Sequence, residues 1–249
     1  MLENIRFVLV ETTHPGNIGA AARAIKTMGL RQLELVRPRL FPAAEATARA
    51  SGADDLLAAA GVHPDLVSAL SGCRLVVGSS ARLRTVAWPQ LDPRACAERL
   101  LAEARQGPVA LVFGRERTGL SNAELDRCHY LAHIPVDPEF SSLNLAAAVQ
   151  VFAYEIRRAR DAGTGAEAVS ADRAVATAEA MEGFYTHLSV TLLELGFADP
   201  RQSKKLLRRL RRLFNRARPD WDELNILRGI LSAADGRKLY RREKRTPVD

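Results

Sequence analysis

The 249-residue chain lacks most of the devices that announce a function early. It holds three cysteines, Cys73, Cys96 and Cys128, an odd number, far apart and without a CxxC pair. That pattern argues against a disulfide framework and against a cysteine zinc site. The five histidines form no metal-spaced cluster either, so no metal is implied. No apolar run reaches the roughly eighteen residues that a membrane helix needs. The opening MLENIRFVLVETTHPG places Glu3 and Glu11 around a short apolar stretch, with neither a basic n-region nor a small-residue cleavage site. A cytoplasmic protein with no membrane partner is the expectation. No GxGxxG follows a strand, which disfavours a dinucleotide Rossmann site, and the absence of GxxxxGK[ST] excludes a P-loop.

What is present describes a folded protein with one unusual end. Hydrophobic residues at 47% and charged residues at 26% are ordinary for a globular chain. The length allows one α/β domain of usual size plus a small one. The net charge of +7 is unevenly spread: +3 over residues 1–160, −6 over 161–199 and +10 over 200–249. No acid stands between Arg201 and Arg218, and RKLYRREKR follows near the C-terminus. Such a concentration is an electrostatic footprint for a polyanion, and nucleic acid is the leading partner.

Apolar periodicity sets the architecture. Strands are read at IRFVLV (5–10), RQLELV (31–36), CRLVVGSS (73–80), PVALVFG (108–114) and YLAHIPV (130–136). Helices are read at 18–29, 43–60, HPDLVSALSG, 93–106, Ser121 to Arg127 and 142–160. Near-continuous apolar strands separated by helices indicate an α/β fold, with a mainly parallel sheet covered on both faces. DAGTGAEAVSAD from Asp161 has linker composition. Beyond it, helices at 171–195, 201–216 and 222–234 form a small all-helical domain. The domains are therefore 1–160, a linker at 161–170, and a basic helical unit at 171–249.

In such sheets ligands bind beyond the carboxyl ends of strands. Three of those ends are chemically rich: SSARLRT (79–85), FGRERTGLS (113–121) and DPEFSSLN (137–144). In the last, Ser141, Ser142 and Asn144 can cap the following helix, while Ala146, Ala147 and Ala148 keep its first turns thin. Asn17 can cap the first helix in the same way. Glu116 stands between Arg115 and Arg117, where a loop ion pair is the plainer reading. Arg115 and Arg117 are candidate phosphate ligands.

Three motifs in order, NIGAAARAIKTMG, LVFGRERTGLS and IPVDPEFSSLNLAAAVQVFAYE, resemble those of the SPOUT superfamily of RNA methyltransferases, in the branch that methylates ribose 2′-hydroxyls. The C-terminal RRLFNRARPDWDELNILRGIL narrows the resemblance to bacterial enzymes acting on cytidine or uridine 32 of tRNA. The resemblance implies a C-terminal trefoil knot in the α/β domain, S-adenosylmethionine (SAM) as methyl donor, and a homodimer with the active site at its interface. It assigns cofactor contacts to Ser79, Ser80, Ala81, Gly114, Ile134, Ser141, Ser142 and Leu143. The catalytic group it implies is Arg23, supported by Asn17, Glu116, Ser142 and Asn144; His14 stays outside that set. Lys204, Lys205, Arg208, Arg209, Arg211 and Arg212 join Arg115 and Arg117 as RNA-binding candidates. Two alternatives stay open: a 2′-O-methyltransferase acting on ribosomal RNA or another tRNA position, and a non-catalytic RNA-binding protein on the same scaffold.

Overall fold

A computed structural model describes residues 1–81, 89–162, 175–199 and 203–236. Seven strands, β1 (Ile5–Val10), β2 (Gln32–Val36), β3 (Gly61–His63), β4 (Leu75–Ser79), β5 (Gln90–Leu91), β6 (Val109–Phe113) and β7 (Tyr130–Ala132), form one sheet in the order β3-β2-β1-β6-β4-β7-β5. Every pairing is parallel. The strands alternate across two cores, as a sheet buried on both faces must. Ile5, Phe7 and Leu9 of β1 join one core, and Val8 and Val10 the other.

The first core is roofed by α1 (Pro15–Thr27), α5 (Pro93–Ala104) and α7 (Leu145–Asp161). Phe7 stacks on Phe113 at 6.1 Å between ring centres, and Phe152 of α7 meets Phe113 edge-on at 5.8 Å. Short helices α2 (Ala44–Ala50) and α3 (Asp54–Ala58) flank this face, and α4 (Leu66–Ala69) and α6 (Asn122–Leu125) cover the other. Burying side chains of the size of Phe113 or Phe152 contributes about 1.5–3 kcal/mol each.

Several expectations need correction. The helix expected over 43–60 is two helices, α2 and α3, because Ser51 (φ 44°) and Gly52 (φ 88°) turn left-handed and end α2. β3 and β5 have only three and two residues, too few for periodicity to register. The last strand stops at Ala132 rather than Val136. Ser141 and Ser142 do not cap α7; Asn144 does, accepting from the Ala146 amide at 2.9 Å. Asn17 caps nothing either, since α1 begins earlier, with Pro15 in its first turn.

A third core joins α8 (Ala178–Glu194), α9 (Ser203–Ala217) and α10 (Trp221–Ala234). Met181, Phe184, Tyr185 and Leu188 of α8 meet Leu224 and Leu231 of α10, and Phe214 meets Phe184 edge-on at 4.9 Å. The bundle packs on its own chain. Arg208 Nε donates to both oxygens of Asp126, and Asn215 Nδ2 to the carbonyls of Asp126 and Cys128. Arg218 donates to Glu103 at 2.8 Å, and the Ala178 amide to the Cys73 carbonyl.

β7 lies between β4 and β5, which are consecutive in the chain. Residues 82–88, between β4 and β5, lie outside the described residues, as do 163–170 of the linker and the C-terminal RKLYRREKR.

Candidate functional site

Three adjacent strands, β6, β4 and β7, end side by side, and the loops that leave them enclose a cleft of about 950 Å³, open mouth included. All eight positions named as cofactor contacts line it: Ser79, Ser80 and Ala81 after β4, Gly114 after β6, Ile134 after β7, and Ser141, Ser142 and Leu143 before α7. Arg115, Glu116 and Arg117 line it too, and Phe113, Thr118, Gly119, Val136, Leu145 and Ala148, none of them named as a cofactor contact, complete the wall. Thr118 and Gly119 belong to the same motif loop and could have been named with it.

The loops are tied to one another. The Ser80 amide donates to the Ala132 carbonyl at 3.0 Å, and His133 Nδ1 lies 3.1 Å from the Ser80 carbonyl. The loop after β6 folds back on itself, its Gly119 amide donating to the Arg115 carbonyl at 2.9 Å. A Cβ on Gly114 would lie 2.2 Å from the Gly119 carbonyl carbon, so only glycine fits there. This leaves backbone groups bare toward the cleft. Among the described residues no group of three or more His, Cys, Asp or Glu is arranged to hold a metal.

Glu116 does not pair with its arginine neighbours. Its carboxylate accepts from the Thr13 amide and hydroxyl, the His14 amide, and Asn17 Nδ2 at 3.1 Å. Partial burial pushes its pKa up, but the hydrogen bonds from Asn17 and Thr13 outweigh that and hold it below the usual carboxylate range. Asn144 Nδ2 donates in turn to Asn17 Oδ1 at 3.0 Å. Glu116, Asn17 and Asn144 thus form one chain from the cleft to the start of α7.

Ser142 lines the cleft and is exposed. Arg23 is not brought to it. Its side chain is exposed on α1, on the outer row Asn17, Ala20, Arg23.

Three proposed RNA ligands hold carboxylates instead. Arg115 reaches Glu11 at 2.7 Å and both oxygens of Glu124 at 3.0 Å, and those partners raise its pKa. Arg208 holds Asp126; Arg211 pairs with Glu182 and lies 4.2 Å from the Tyr185 ring centre. Arg117, Lys204, Lys205, Arg209 and Arg212 have no carboxylate partner among the described residues.

Comparison with known proteins identifies the family. A family model described as the SpoU rRNA Methylase family matches residues 4–154. The chain belongs to the SpoU methylase family. A second model, the C-terminal domain of the tRNA methyltransferase TrmJ, matches residues 179–246 and places the chain in the TrmJ branch. The tRNA (cytidine/uridine-2′-O-)-methyltransferase TrmJ of Pectobacterium atrosepticum is 53% identical, over 94% of this chain and 97% of that one. The crystal structure of TrmJ from Z. mobilis superposes with a TM-score of 0.80 at 34% identity, covering 92% of this chain and 98% of that one. The SpoU methyltransferase AviRb from Streptomyces viridochromogenes, solved with AdoMet, is 25% identical with a TM-score of 0.52, covering 65% and 62% of the two chains.

Proposed function

We propose that this protein is a SAM-dependent methyltransferase of the ribose 2′-hydroxyl of nucleotide 32, C or U, in the anticodon loop of tRNA, acting as a cytoplasmic, knotted homodimer. The observation that carries the reading is the meeting of the second and third motifs with the loop after β4 at one cleft, to which the first motif is tied through Asn17 by the Glu116–Asn17–Asn144 chain. The residues present suit SAM. The bare backbone around Gly114 takes an adenine edge or ribose without a side-chain clash, and a cofactor with no phosphate needs no phosphate clamp. When bound, SAM supplies a methyl group already activated by its sulfonium.

The chain's own residues have the remaining work. Ser79, Ser80, Ala81, Gly114, Ile134, Ser141, Ser142 and Leu143 hold and orient the cofactor, and orientation alone accounts for several orders of magnitude in rate. Glu116, already ionised and surrounded by donors, fixes the Asn17 amide, which fixes Asn144. Arg23 acts as a fixed positive charge on the adjoining phosphate or the developing 2′-alkoxide, because a guanidinium is a poor base near neutral pH.

Arg23 lies outside its own chain's cleft, which favours a dimer in which each α1 serves the partner. Phe140 (82% exposed) and Leu143 (40%) beside the cleft, and Tyr154 (51%) further along α7, leave apolar surface for a second copy to cover. Lys205, Arg209 and Arg212 add phosphate contacts insensitive to base identity.

The test is to incubate the protein with unmodified tRNA and SAM, digest, and map 2′-O-methylated nucleosides by mass spectrometry. Methylation at nucleotide 32 is expected. Methylation elsewhere overturns the position, and none at all with SAM bound points to a different RNA.

A further inference from the structure

A second crevice opens where α1 and α2 cross, and it shares no residue with the cofactor cleft. The crossing is unusually close: a Cβ on Gly19 would lie 2.0 Å from the Ala46 carbonyl oxygen. That closeness sets Glu45 and Arg49 of α2 beside the outer row of α1, where Gly16 and Ala20 present almost no side chain. His14, Asn17 and Asn144 close one end. The two asparagines are the same pair that runs on to Glu116, so the crevice is joined to the cleft by a hydrogen-bonded chain.

The lining is polar and of both kinds. The Arg49 side chain is exposed and has no carboxylate partner among the described residues, and the His14 ring carries no hydrogen bond there. Each asparagine amide has one N–H beyond those already used. Glu45 offers acceptors, its carboxylate lying against Gly16. A ribose-phosphate unit presents the matching set: anionic oxygens for Arg49 and the amides, and hydroxyl donors for Glu45. One turn beyond Ala20, the same row of α1 reaches Arg23.

We propose that this crevice seats a ribose-phosphate unit of the RNA next to the nucleotide being methylated, with Arg49 on its phosphate and Glu45 on a ribose hydroxyl. A backbone held there runs along α1 toward Arg23. The inference rests on the reading of the protein as a tRNA methyltransferase and names a contact that reading lacks.

The experiment uses the full-length protein with Arg49→Gln, Arg49→Lys and Glu45→Gln, and with Arg31→Ala, before β2 at the opposite end of the sheet, as control. For Arg49→Gln the KM for tRNA rises about 10-fold with kcat within about 2-fold, and the slope of log affinity against log salt becomes shallower by about 0.7–0.9. Arg49→Lys restores most of the affinity and the slope. Glu45→Gln raises KM without changing the slope, and SAM affinity measured by calorimetry is the same in all. An unchanged KM and slope in Arg49→Gln overturns the proposal. So does lost tRNA affinity accompanied by a change of mass on sizing, which would assign Arg49 to a subunit contact. Filter retention of tRNA reads the Arg49 effect even if the wild-type protein methylates nothing, so failure of the crevice and failure of the assigned reaction are distinguishable.

Discussion

Glu116 carries a net negative charge between two arginines and binds neither. Its five contacts all come from Thr13, His14 and Asn17, across about a hundred residues of chain. Spacing alone favoured the neighbours, and the structure shows why they lose. Arg115 is held by Glu11 and by Glu124, the latter also closing the capping box of α6 with Ser121. That the chemically rich loops follow strand ends was legible; the eight cofactor positions came from the resemblance, and they share one cleft. The part of Asn17 was not, although HPGN held the clue: Pro15 fits the first turn of a helix, and that leaves Asn17 inside it with its amide free to bridge. Arg23 is where a residue-scale test is sharpest. If it supplies a fixed charge, Arg23→Ala lowers kcat by about 10²–10³-fold, while Arg23→Lys keeps a measurable fraction with an altered pH profile. Steady-state rates across pH, with SAM and tRNA binding measured alongside, check this. Complete loss in the lysine variant with both affinities intact overturns the fixed-charge role.

At the scale of elements, α9 shows how one charge run divides. Arg208, Arg211 and Asn215 repeat at i, i+3 and i+7, and that stripe faces Asp126, Glu182 and the carbonyls before β7. Lys205, Arg209, Arg212 and Arg216 repeat at i, i+4, i+7 and i+11 on another side, with no carboxylate partner among the described residues. The sequence shows sixteen residues without an acid between Arg201 and Arg218; it does not show that two of the cations there, Arg208 and Arg211, have distant carboxylates waiting. The same limit hid β3 and β5, which exist only by pairing with β2 and β7. The Ser51-Gly52 break, by contrast, was readable as a turn dipeptide. The stripes respond differently. Removing Lys205, Arg209 and Arg212 together as alanines weakens tRNA binding and makes the salt slope shallower by about 2 to 3. Arg208→Ala leaves that slope unchanged, strands Asp126, and makes the bundle more open to limited proteolysis. A slope that follows Arg208 instead would reverse the assignment of the two faces.

For the whole molecule, the junction between the sheet and the helical bundle carries a pH dependence that its surface charges do not. His129 begins the approach to β7, is 5% exposed, and its Nδ1 accepts from the Val76 amide at 3.0 Å. Burial, reinforced by the nearby Arg218 guanidinium, lowers its pKa to about 4 from the ordinary 6.5. The Arg218 side chain reaches this place from the turn between α9 and α10 and is held by Glu103 at the end of α5, so bundle and sheet meet around a neutral histidine. No reading of the sequence placed these groups together, because the contact spans nearly ninety residues. The sign follows from linkage: the folded protein keeps His129 neutral while the unfolded chain takes up a proton below about pH 6.5, so stability falls as pH drops through that window and levels off below about pH 4. Between pH 7 and pH 5 this one group removes about 2 kcal/mol. Urea unfolding at the two pH values, for the wild type and for His129→Asn, isolates it: the variant starts less stable at pH 7 but loses about 2 kcal/mol less on acidification. Equal losses in both proteins would mean that His129 is charged in the native state, and that the bundle seats on the sheet more loosely than the Arg218–Glu103 contact implies.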